Sequence, residues 1–157
     1  MNENLLIHAL IISDSQGRFL VDLIRNEKLD TAQLSGFIAA FKMFGEETLG
    51  NIKAISIEGL DIDMLVVSKY DLIFIAIMDT YCTQVTDFRK GCRKALEAFY
   101  RGYKEKIDDW DGDLRQFREF RGILKEQVQK YLSKLKEFKQ NATGSLNKRR
   151  FSKKRGD

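Results

Sequence analysis

Residues Leu29 to Gly59, LDTAQLSGFIAAFKMFGEETLGNIKAISIEG, hold one helix, its exit and one strand, and the placing of everything around them follows from this stretch. Asp30 with Gln33 three residues on resembles a capping box, which takes up N–H groups left free at a helix start. Beyond it Leu34, Phe37, Ile38, Phe41 and Phe44 recur at steps of three and four. At 100° per residue they share a sector of about 120°, which is expected to pack on a sheet. The opposite side carries Gly36, Ala39 and Met43, with Ala40 on one border and Ser35 and Lys42 on the other. A free surface helix normally carries Glu, Lys or Gln there. Gly45 predicts a left-handed stop. IKAISIEG then alternates apolar and polar residues, the pattern of an edge strand.

Outward from this stretch, LLIHALII (5–12) and RFLVDLI (18–24) read as two strands joined by a turn at SDSQG. DIDMLVVS (61–68) and DLIFIAIMD (71–79) follow the edge strand, with separators at Gly59–Leu60 and Lys69–Tyr70 short enough only for hairpins. The first strand and the last are apolar at nearly every position and are expected at the centre of the sheet, covered on both faces. Val85, Phe88, Cys92, Leu96, Phe99, Tyr103 and Ile107 mark one helix, and Phe117, Phe120, Leu124, Val128, Tyr131, Leu135 and Phe138 mark a second. Between them DDWDGD lacks the glycine and the glutamate a calcium loop needs at its sixth and twelfth positions. It reads as a connection in which Asp111 or Asp113 caps the next helix and Trp110 packs the two helices together. The fold class is therefore α+β: a five-stranded antiparallel sheet with one helix on one face and two on the other. A domain over 1–140 is followed by a flexible basic tail over 141–157.

Strand, strand, helix, three strands, two helices is the order of the longin domain. The resemblance is carried by the acid cap at Asp30, the small residues among bulky ones from Ser35 to Ala40, the Phe44-Gly45 exit and Gly50 before the third strand. It spans roughly residues 5 to 138. The related roadblock proteins usually begin with a helix, whereas this sequence begins with a strand, which favours the longin pattern within the SNARE-like group. What the resemblance implies is a non-enzymatic protein-interaction module, docking a small GTPase or another longin or roadblock subunit in a GTPase-regulating or vesicle-trafficking complex, with a homodimer among the options. Fusion activity is not implied, because the coiled-coil motif and anchor of longin-bearing SNARE proteins do not follow in these 157 residues.

Two readings of the small-residue helix face stand side by side. Alanine is the best helix former and tolerates water. Against that plain reading, a glycine in mid-helix costs roughly 1 kcal/mol relative to alanine, so Gly36 points to close approach by a partner. The expected partner surface is Gly36, Ala39, Ala40 and Met43 on the helix, with Lys53 and Ile55 on the neighbouring strand. Lys53 fits two roles, flanking an edge that accepts another strand or guarding that edge against it.

The remaining residues offer little catalytic chemistry. His8 is the single histidine and lies within an apolar strand, so neither a Ser-His-Asp arrangement nor a His-based zinc site has its second member. No glycine-rich phosphate loop is present. Cys82 and Cys92 are the only cysteines and suit a reducing, cytosolic address; Cys92 is expected in the core and Cys82 nearer the surface. No metal or cofactor is expected, and no run approaches the roughly 20 apolar residues of a membrane span. The formal charge of +4 is concentrated at the end, where residues 147–157 carry six basic residues and one acid, leaving 21 basic and 22 acidic residues in 1–146. Lys148, Arg149, Arg150, Phe151, Lys153, Lys154 and Arg155 thus form a candidate anion- or membrane-binding tail. Nucleic acid is the weaker partner, since a folded basic face is lacking. A small-molecule sensor is the alternative of a different class, favoured by a cavity near His8 and Tyr70.

Overall fold

The computed structural model describes residues 6–50, 52–85 and 88–154, with side chains at all of these except 48, 49, 84, 85 and 138–154. The strands are β1 (Ile7–Asp14), β2 (Phe19–Ile24), β3 (Ala54–Glu58), β4 (Ile62–Lys69) and β5 (Leu72–Asp79). The helices are α1 (Thr31–Leu49), α2 (Thr80–Val85), α3 (Phe88–Asp108) and α4 (Arg118–Lys154), with a 3-10 turn at Leu114–Phe117. All strand pairs are antiparallel, in the order β2-β1-β5-β4-β3. This is the α+β arrangement expected from the sequence pattern, with the two apolar strands β1 and β5 central and β3 at an edge.

Alternation along β1 and β5 sends successive side chains to opposite faces. Ala9, Ile11, Ile73, Ile75 and Ile77 form a buried cluster with Val66 of β4 and with Ile38 and Ala39 of α1. On α3 the stripe Cys92, Ala95, Leu96 and Phe99 is buried. The Phe99 ring meets those of Tyr103, Phe117 and Phe120 at centroid distances of 5.1 to 5.5 Å. Trp110 lies 5.7 Å from Phe117, and Asp113 caps, through the Arg115 N–H, the 3-10 turn that precedes α4 and not the long helix itself, so the tasks expected of the acidic connection fall on this turn.

Several local details differ from expectation. The helix expected to begin at Val85 is preceded by the separate α2. Its start is fastened by the buried Asp63 carboxylate, which accepts hydrogen bonds from the Thr80 and Thr83 hydroxyls and from the Gly59 N–H. Gly45 does not end α1. The helix runs on to Leu49, and Gly50 (φ +82°) closes it by donating its N–H to the Glu46 carbonyl. Gly45 serves instead as a seat for Ile52, since a Cβ there would lie 2.3 Å from the Ile52 Cδ1. Cys82 is fully buried rather than near the surface, because α2 folds its side chain toward the Leu6 carbonyl.

The chain divides into two compact units, Met1–Leu124 and Lys125–Asp157. The described part of the second is the continuation of α4 alone. Its backbone is helical to Lys154, so residues 141–154, within the stretch expected as a flexible basic tail, continue the helix. It contains no proline, and lysine, arginine, alanine and leucine are good helix formers.

The two edges of the sheet are treated differently. On β2, the Arg121 guanidinium donates to the Asp22 carbonyl (2.8 Å) and carboxylate (2.7 Å), and the other oxygen of that carboxylate accepts the Thr31 hydroxyl (2.8 Å). Among the described residues, no side chain bonds to the backbone of β3 in this way.

Candidate functional site

The helix in the quoted stretch forms where expected, with the Gln33 N–H donating to Asp30 Oδ1 at 3.0 Å. Its rotation about its own axis is not as expected. Ser35, Ile38, Ala39 and Lys42 are buried, while Phe37 is 61% exposed, Phe41 46%, Met43 62% and Phe44 72%. The helix is turned by about one residue, close to 100°. Of the five bulky residues assigned to the sheet, Ile38 is buried there and Leu34 packs beside the core cluster.

The cause is the turn between β1 and β2. Gly17 (φ +90°) comes so close that a Cβ on it would lie 3.1 Å from the Gly36 Cα, 3.2 Å from the Ala39 Cβ and 3.3 Å from the Ser35 carbonyl oxygen. A ring on the underside of α1 would not fit in that space, so small residues face inward and aromatic ones outward. Two polar side chains accompany them. Among the described residues the buried Ser35 hydroxyl has no hydrogen-bond partner, and Lys42 is paired with Glu46 one turn on at 3.2 Å.

The expected partner surface is therefore redrawn. Gly36, Ala40 and Met43 face solvent as foreseen, but Ala39 is 4% exposed and belongs to the core, so it cannot meet a partner. On β3, Lys53 just before the strand is exposed, Ile55 is half-buried against the core cluster, and Ile57 is 42% exposed. The residues missed by sequence reasoning are Phe37, Phe41 and Phe44. The Phe37 and Phe41 rings stack at 6.5 Å. A signal for them existed in Ser35, Ala39 and Lys42, which share one side and suit a close approach better than a partner's anchor.

A second concave feature lies at the end of the sheet near Tyr70, where the β1–β2 turn, the β4–β5 turn and the end of α3 enclose about 230 Å³. Tyr70 and Asp71 form the two-residue β4–β5 turn, one position later than expected, both with positive φ (57° and 59°). At this turn Lys69 pairs with Glu97 of α3. The hydrogen bond with Glu97 holds the Lys69 ammonium above its ordinary pKa, and the same bond holds the Glu97 carboxyl below its own. On α3, burial raises the Tyr103 phenol. His8, at the other end of β1, lies 3.1 Å from the Asn26 side-chain amide. Among the described residues there is no group of three metal-ligating side chains and no helix long and apolar enough to cross a membrane. The tail side chains Lys148, Arg149, Arg150, Phe151, Lys153, Lys154 and Arg155 lie outside the described residues.

No family model matches the sequence, and no curated protein matches it. Among solved structures the chain is similar to MglB of Myxococcus xanthus, at 14% identity over 48% of this chain and 66% of that one, with a TM-score of 0.44. It is also similar to the gliding protein MglB of Thermus thermophilus (10% identity, 48% and 62%, TM-score 0.43). A third is a Roadblock/LC7 domain from Streptomyces avermitilis (5% identity, 47% and 67%, TM-score 0.41). The chain spans 62 to 66% of the length of these two MglB chains.

Proposed function

We propose that this chain is a non-enzymatic, longin-like interaction module that docks a protein partner through the outward face of α1 and the adjoining edge strand β3. The observation that carries the reading is the row Phe37, Phe41 and Phe44, with Met43 beside it, all exposed on a single helix. Contiguous apolar surface of this kind marks interaction sites, and a flexible thioether beside rigid rings adapts to a partner's shape. An edge strand with unpaired backbone groups adds a second mode of contact, strand addition. The resemblance of the sequence to longin domains supplies the class of partner: a small GTPase, or another longin or roadblock subunit, in a GTPase-regulating or trafficking complex. The basic tail belongs to the same proposal as an accessory contact with an anionic membrane surface.

A second copy of the chain is the partner that can be tested with the chain alone. Sedimentation equilibrium over a concentration series should give a rising mass for the wild type and a constant monomer mass for Phe37→Glu/Phe44→Glu. The Ala40→Glu change, on the same outward side, should act in the same direction. A wild type that stays monomeric and is indifferent to all three changes would overturn self-docking through α1.

A further inference from the structure

α1 packs over Ala9, Ile11 and Ile75 on one face of the sheet, and α3 lies against β4 and β5 on the other. At 100° per residue, Lys90, Arg93, Lys94, Arg101 and Lys104 of α3 share a sector of about 100°, opposite the buried stripe of Cys92, Ala95, Leu96 and Phe99. All five are exposed, and the row from Lys90 to Lys104 runs about 21 Å along the helix.

Little negative charge answers this row. Glu97 lies within the sector and Glu105 at its border. The Glu97 carboxylate is paired with Lys69 of β4, which brings a sixth cation to the face and cancels that acid; Lys94 and Arg101 reach Glu97 only through the field of their charges. Among the described residues, none of the five in the row forms an ion pair. Residues 1–146 hold 21 basic and 22 acidic residues, so a nearly neutral stretch has sorted its charges. The folded basic face that the totals concealed is present on α3.

This face is also built differently from an ordinary solvated one. A solvated helix commonly sets acids and bases one turn apart, where they attract. Here Lys90 has Arg93 and Lys94 one turn on, and like charges at that spacing work against the helix. Beside the row, Gly91, Ala98 and Gly102 are exposed. A Cβ on either glycine would meet nothing within 4 Å, so packing within the chain does not demand their bareness, which lowers helix propensity. The flank is left low, and nothing bulky holds a flat surface away from the cations.

The chemistry of the row selects among anionic partners. A protein interface is anchored by buried aromatic or aliphatic side chains, and α3 has no large apolar residue among the exposed ones. Single-stranded nucleic acid is held by stacking bases on open rings. The ring beside the row, Tyr100, is stacked on Tyr70 at 4.2 Å and carries the Lys104 ammonium at 5.7 Å. What remains is recognition by charge alone over a flat area, which suits a surface of lipid head groups.

We propose that the outward face of α3 is a docking surface for a membrane rich in anionic lipid, with Lys90, Arg93, Lys94, Arg101 and Lys104 lying against the head groups. It shares its ligand with the tail contact proposed above without resting on it. Because α1 and α3 cover opposite faces of the sheet, a protein seated on α1 is held on the side away from the lipid.

The test is co-sedimentation of the full chain with phosphatidylcholine vesicles, with and without phosphatidylserine as one third of the lipid. The wild type should bind the anionic vesicles, ignore the neutral ones, and release as sodium chloride is raised. Each basic residue near such a surface is worth about fivefold in partition, so Lys90→Gln/Arg93→Gln/Lys94→Gln should weaken binding by at least about tenfold. The three positions are exposed and glutamine is a good helix former, so this variant keeps the fold, which circular dichroism verifies. A parallel variant, Lys148→Gln/Arg149→Gln/Arg150→Gln, separates the tail from the face. Binding by the α3 variant within tenfold of the wild type, with the loss found in the tail variant alone, would overturn the α3 surface and leave the tail contact standing. Equal binding to neutral vesicles would overturn it as well, as would binding of a structured RNA by a wild type that ignores anionic vesicles.

Discussion

One sheet carries two coverings, and they present opposite surfaces to water. α3 follows the ordinary rule, with Cys92, Ala95, Leu96 and Phe99 buried and Arg89, Lys90, Arg93 and Lys94 exposed. α1 inverts it, holding a serine, an alanine and a lysine inward and three phenylalanines outward. The difference teaches that the space beneath a helix decides which side faces in. Where the Gly17 turn leaves little room, bulk is displaced outward, and the resulting apolar face becomes available to something else.

The sharpest way to break the comparison is to remove one ring from each covering. Phe99→Ala should cost about 3–5 kcal/mol in denaturant-induced unfolding, because a fully buried ring in contact with three others leaves a cavity. If Phe99→Ala proves as mild as a surface change, the contrast between the coverings is wrong. Gly17→Ala comes next. The added methyl group meets α1 at 3.1 to 3.3 Å from a positive φ, and roughly 1–3 kcal/mol should be lost. In the other direction, Ser35→Ala should stabilise the chain by about 1 kcal/mol, since it removes a buried hydroxyl that has no partner. Phe44→Ala, at a ring 72% exposed, should change the stability of the isolated chain by no more than about 0.5 kcal/mol.

The smallest expected effect concerns the Lys69–Glu97 pair beside the β4–β5 turn. Glu97 is held below its ordinary pKa of 4.5, so its contribution is present above that pH and is lost as pH falls through the lowered value. Lys69 is held above its ordinary 10.5, so its contribution is present below that pH and is lost as pH rises through the raised value. The melting temperature of the wild type should therefore exceed that of Glu97→Gln only between these limits, and the gap should shrink in high salt. A gap that persists at acid pH would assign the effect to packing instead of charge.

Much of this was legible in the sequence because it rests on local signals. The near-continuous apolar runs around Ile11 and Ile75 place β1 and β5 at the centre, and alternation around Ile55 places β3 at the edge. Asp30 caps α1 as predicted, and Asp113 and Trp110 act within a few residues of chain, though on a 3-10 turn that the pattern did not mark. The rotation of α1 was not legible, since it depends on Gly17, which lies outside the helix and meets it only after folding. Periodicity identifies two apolar sides of the stretch from Leu34 to Phe44, but it does not measure the clearance under either. The persistence of α1 past Gly45 has the same origin, a distant Ile52 occupying the place of the missing side chain. The cleft escaped notice because it is assembled from two turns and a helix end far apart in the chain.

The bond between Arg121 and the Asp22 carbonyl has a consequence for how such molecules accumulate. The guanidinium occupies one outward carbonyl of β2, so a strand added at that rim would have to displace it, whereas among the described residues no side chain stands against the backbone of β3. If strand addition is used at all, it is steered to the β3 rim, and two molecules joined there about a two-fold axis would leave only guarded rims outward.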